Sequence, residues 1–74
     1  MNYYKLRMIV MNKTMHYLET LAEAKEKKHS IPPYLHFQRR MMLEYGVSEK
    51  MLVKAVESLA SGLTVKNGEV VPDE

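Results

Sequence analysis

The chain has 74 residues, 46% apolar and 27% charged, with no cysteine and a formal net charge of +2. That length accommodates one domain, and the missing cysteines exclude both a disulfide framework and a thiolate zinc site. The apolar fraction argues against disorder, and no run approaches the ~20 residues of a membrane-spanning helix. No signal peptide is visible, so a cytoplasmic location is expected.

The first element runs from about Tyr3 to Lys28. Tyr4, Met8, Met11, Met15, Leu18 and Ala22 recur at a 4-3-4-3-4 spacing, the a/d seam of a helix that meets another helix. Tyr17, Leu21 and Ala24 form a second apolar flank. Glu19, Glu23 and Lys27 stack at i,i+4 on the solvent side, and the lysines at 25, 27 and 28 suit a helix C-terminus. A helix of this length would span roughly 39 Å, longer than the ~30 Å diameter of a compact chain of this size, so one end is expected to overhang. A second reading stays open. Tyr4, Leu6, Met8 and Val10 alternate with Lys5 and Arg7 as on a strand, after which Asn12 or Thr14 would cap a shorter helix. The unbroken heptad and Ile9 favour the single helix.

Ser30-Ile31-Pro32-Pro33 is the linker. Pro32 turns Ile31 away from helical geometry, and Pro33 suits the first turn of a new helix. The second helix runs to about Glu44, with Tyr34, Phe37, Met41 and Tyr45 on one face. Gly46 suits a helix end that needs φ > 0, and Ser48 is placed to cap the third helix, which runs to about Ser61. Leu52, Ala55, Val56 and Leu59 form its inward face. After Gly62, the apolar pairs Leu63, Val65 and Val70, Val71 flank Asn67-Gly68, the dipeptide that favours a two-residue hairpin. The fold class expected is therefore mainly α with a small β-hairpin. Residues 1–74 are expected to form one winged helix-turn-helix domain: a long N-terminal helix over 1–29, a helix-turn-helix over 33–61 and a wing over 62–72.

Over residues 33–71 the chain resembles winged helix-turn-helix regulators, most closely the GntR-type DNA-binding domain. The family's hydrophobic-Gly-Val-Ser turn is matched by Tyr45-Gly46-Val47-Ser48. The apolar recognition-helix positions match Leu52, Ala55, Val56 and Leu59, the Gly-Leu before the wing matches Gly62-Leu63, and the wing glycine matches Gly68. The chain departs from the family at Glu49, where a basic residue is usual, at Met51 in place of a hydroxyl residue, at Val53 in place of an exposed Arg, and at Met42 in place of a small Ala. The resemblance implies binding of double-stranded DNA through the third helix.

Charge is unevenly spread. Residues 1–40 carry eight Lys/Arg against three Glu, a surplus of five, whereas residues 41–74 carry three Lys against six acids, a deficit of three. The candidate DNA contacts are Ser48, Lys50 and Lys54 of the third helix, Arg39 and Arg40 of the second, and Lys66 of the wing. The same third-helix surface, with Glu49, Val53 and Glu57, also reads as a solvated or protein-binding face of mixed charge. Tyr4, Met8, Met11, Met15 and Leu18 are the candidate homodimer interface, since a small domain without staples gains from oligomerisation. His16, His29 and His36 match no compact metal motif, so neither metal nor cofactor is expected. No catalytic constellation is present, and an enzyme is not expected. The sequence thus reads as a small dimeric transcriptional regulator, with a winged-helix protein-interaction module that does not bind DNA as the alternative.

Overall fold

In the computed structural model, which describes residues 2–73, the long apolar repeat is one helix. α1 spans Tyr3–Glu26 and opens on an N-cap at Asn2, whose side-chain oxygen accepts the Lys5 N–H at 2.9 Å. The strand alternative for its first turns is not realised. Helical hydrogen bonds satisfy that backbone within the segment itself, and the sheet is formed by two later strands without it. α1 closes with a double backbone bond: His29 N–H donates to the Ala24 carbonyl at 2.8 Å and Lys28 N–H to the Lys25 carbonyl at 3.4 Å. This geometry puts Lys28 at φ +58, a left-handed position held by a non-glycine residue.

α2 spans Tyr34–Tyr45 and α3 spans Glu49–Leu59. Pro33 stands just before α2 as its N-cap rather than inside the first turn. Gly46, at φ +67, ends α2 and turns the chain sharply; its N–H donates to the Met42 carbonyl. Ser48 then caps α3, accepting the Met51 N–H at 3.2 Å. The hairpin pairs β1 (Leu63–Lys66) with β2 (Glu69–Pro72), antiparallel, with Val65 opposite Val70 and Lys66 opposite Glu69. Asn67 and Gly68 both take positive φ, +53 and +74, as a type I′ turn requires. The hairpin tip also packs on α2: a Cβ built on Gly68 would lie 2.9 Å from the Leu35 side chain.

The interior is two joined clusters. An aliphatic one gathers Val10, Met41, Val47, Leu52 and Ala55 where α1 crosses the turn between α2 and α3. An aromatic one gathers Tyr17, Leu21, Tyr34 and Val56 beneath the hairpin, and Phe37 packs against both. Leu52 and Val56, on the inward stripe of α3, are fully buried. Leu59 shares that stripe but is the last helical residue and is exposed, because the chain leaves the core there. The order of three helices and a hairpin, with the first helix long, is consistent in shape with a generic winged helix. No helix among the described residues is long and apolar enough to cross a membrane.

Candidate nucleic-acid interface

The amphipathic pattern of α3 decides which of its side chains face outward. With Leu52, Ala55 and Val56 turned into the core, Lys50 and Lys54, one helical turn apart, point away from it, and both are exposed. The two acids of α3 are held by neutral donors. Gln38 Nε2 donates to Glu49 Oε1 at 3.2 Å, tying α2 to α3, and Thr64 Oγ1 donates to Glu57 Oε2 at 2.7 Å, tying β1 to α3. Among the described residues, neither Lys50 nor Lys54 has a carboxylate within 4.0 Å; the two ion pairs present are Lys27–Glu23 and Arg40–Glu44.

A further cation joins them. The N-terminal part of α1 crosses α3, so Arg7 lines a shallow hollow together with Lys54, Met51 and Ser58. Arg7 lies outside the residues 33–71 that carry the resemblance, and only the crossing of the two helices brings it there. Ser48 is committed as an acceptor to the capping bond but keeps its hydroxyl proton to donate. Lys66 is exposed at the end of β1, across from Glu69.

The two α2 arginines fall elsewhere. Consecutive helical residues are about 100° apart around the axis, so Arg39 and Arg40 cannot share a direction. Arg39 is exposed on the outer face, near the exposed Leu43. Arg40 turns toward α1, lies 3.7 Å from Glu44, and lines a cleft between α1 and α2 with Lys13, His16 and His36. Two separate groups of cations result, Lys50 and Lys54 with Arg7 on one side and Lys13 with Arg40 in the α1/α2 cleft, and Arg39 joins neither.

The residues proposed for a dimer also divide. Tyr4, Met8 and Met15 are 77%, 72% and 44% exposed, while Met11 and Leu18 are partly buried against the chain's own aliphatic and aromatic clusters. Of the three histidines, His16 and His36 share the α1/α2 cleft and His29 does not. Among the described residues no three His, Asp or Glu side chains come together as a metal cage. Two buried tyrosines are perturbed: burial raises the Tyr17 phenol, and burial with the neighbouring Tyr17 and Glu49 pushes Tyr34 up to about 12. Both belong to the core, where Tyr17 donates to the Pro32 carbonyl at 2.7 Å.

Comparison with known proteins returns no matching family model, no matching curated protein and no matching solved structure.

Proposed function

We propose that this protein binds double-stranded DNA as a small dimeric regulator, with α3 lying in the major groove in the manner of GntR-type winged helices. The observation that carries the reading is the freedom of Lys50 and Lys54: they are outward, without an ion-pair partner among the described residues, and Arg7 stands beside Lys54, while Glu49 and Glu57 are occupied by neighbouring elements. A helix backed by a core and offering cations outward suits the groove-facing role. The mixed composition of its surface supports phosphate contact over base readout, since backbone contacts position a protein without reading sequence. The exposed Tyr4, Met8 and Met15 support pairing of two copies through α1.

The test is a titration against random duplex DNA across salt concentrations. Each neutralised phosphate contributes about −0.9 to the slope of log K against log salt. Lys54→Ala and Arg7→Ala should each weaken binding to all sequences alike and flatten the slope by about one contact. Lys50→Ala should instead change the preference between sequences if that side chain reaches a base edge. Absence of duplex binding at low salt sinks the reading.

A second reading has its own observation. Leu35, Met42 and Leu43 are exposed on α2, Leu43 at 80%, and a phosphate backbone offers nothing to such a surface. If DNA binding fails, this surface makes a protein-interaction module the function to pursue.

A further inference from the structure

The cleft between α1 and α2 is separate from the α3 surface and asks for a different ligand. Its volume is about 440 Å³, within the range of small-molecule sites. It exists because α1 packs mainly on α3 and touches α2 only lightly, so the two helices part above the linker. Its floor is apolar. Tyr17 and Phe37 stack with ring centroids 4.8 Å apart and planes 18° apart, and Met41 and Tyr45 continue the floor along α2.

The rim is basic on both walls. Lys13 and His16 stand three residues apart on α1; His36 and Arg40 stand four apart on α2. The one acid lining the cleft is Glu44, which meets Arg40 at 3.7 Å in an exposed pair. Such a pair holds its partners weakly, so Arg40 is free to turn to a better anion. Two polar groups of the floor are already engaged as donors, Tyr17 to the Pro32 carbonyl and Thr20 Oγ1 to the His16 carbonyl at 3.0 Å. What remains unsatisfied is positive charge above an aromatic floor.

We infer that this cleft binds a small molecule made of a flat aromatic ring bearing one anionic group, a carboxylate or a phosphate. The ring covers Phe37 and Tyr45, and the anion sits between Lys13 and Arg40, the guanidinium offering the planar fork that matches either oxyanion. The inference does not depend on DNA binding by α3.

The experiment is a titration of the full chain followed by amide and aromatic NMR shifts. The probes are benzoate and adenosine 5′-monophosphate, their uncharged counterparts benzyl alcohol and adenosine, and inorganic phosphate. Either charged ring should give saturable shifts at Thr20, His36 and Phe37, with half-saturation below about 1 mM. Phenyl phosphate, which keeps the benzene ring and changes the anion, tells carboxylate from phosphate by whether it binds tighter than benzoate. The uncharged rings and ring-free phosphate should each bind roughly tenfold more weakly, as should the charged rings to the Lys13→Gln, Arg40→Gln double variant. Both substituted residues are exposed, and an unchanged spectrum away from the cleft shows the variant folded. The proposal is overturned if no probe saturates, if uncharged rings or phosphate alone bind as well as the charged rings, or if the double variant binds undiminished. It is equally overturned if random duplex DNA displaces the charged ring, because the cleft is then part of the DNA surface.

Discussion

α1 carries two apolar stripes with the same period and opposite fates. Val10, Thr14, Tyr17, Leu21 and Ala24 follow a 4-3-4-3 spacing and are buried within the chain. Tyr4, Met8, Met15 and Ala22 belong to an equally regular stripe, yet they remain exposed. Apolar character does not explain the difference, since the buried stripe includes a threonine at 0% exposure. At Val10 and Thr14 β-branched side chains let the helix approach its neighbours closely, while Tyr17 and Leu21 fill the wider space toward the linker and the hairpin. The exposed stripe has three methionines if Met11 at its border is counted, and methionine suits an adaptable contact with another surface. Met11 and Leu18 lie between the stripes and are half-buried, which is why they serve the chain's own core while the rest of the seam does not.

The largest test of this contrast truncates one residue of each stripe. Leu21→Ala should cost roughly 2–5 kcal/mol, enough to unfold much of a domain this small. Met8→Ala should stay within about 0.5 kcal/mol in dilute urea melts. Equal costs would mean that the exposed stripe is packed in the monomer.

Concentration is the next lever. Covering Tyr4, Met8 and Met15 with a second copy could contribute roughly 1.5–3 kcal/mol per side chain. The wild type should therefore scatter light as a dimer and Met15→Glu as a folded monomer, with its dilute thermal midpoint little changed. A wild type that stays monomeric at high concentration removes the dimer from the account.

Thr14 tests the buried stripe from the opposite direction. Its hydroxyl is buried without a hydrogen-bond partner among the described residues, so Thr14→Val should raise stability by about 1 kcal/mol. A loss of stability instead would show that the hydroxyl is satisfied in solution.

Tyr34, which packs against Tyr17 of the buried stripe, gives a pH signature. Its phenol is raised from 10.0 to about 12, so the fold favours the neutral form. That contribution is complete below pH 10 and is lost as pH rises toward 12, because the unfolded chain ionises first. The Tm of the wild type should fall over this window more steeply than that of Tyr34→Phe. Parallel curves would place the titration elsewhere.

The smallest effect concerns the end shared by both stripes. Lys28 holds φ +58 without being glycine, so Lys28→Gly should stabilise by roughly 0.5–1 kcal/mol. No gain in a thermal melt would argue against that left-handed turn in solution.

Much of the architecture is readable from local rules. Ser48, Gly46 and Asn67-Gly68 act on their immediate neighbours, so the cap, the turn and the hairpin register follow from residue type alone. The inward face of α3 was legible for the same reason, except at Leu59, where the helix ends. The candidate site was legible only in part. Lys50 and Lys54 share a face through helical spacing. Arg39 and Arg40 look like a pair in sequence, but helical rotation sends them to different surfaces.

By itself, then, the sequence determined the kind and order of the elements beyond residue 12 and their ends to within two residues, because capping, φ preference and hydrophobic period act over a few residues. Tertiary structure alone decided which stripe of α1 became core, that Arg7 would stand beside Lys54, and that Lys13 and His16 would face His36 and Arg40 across a cleft. Those outcomes depend on how closely two helices approach and at what angle they cross. That is a matter of side-chain shape at the crossing, and periodicity within one helix carries no information about it.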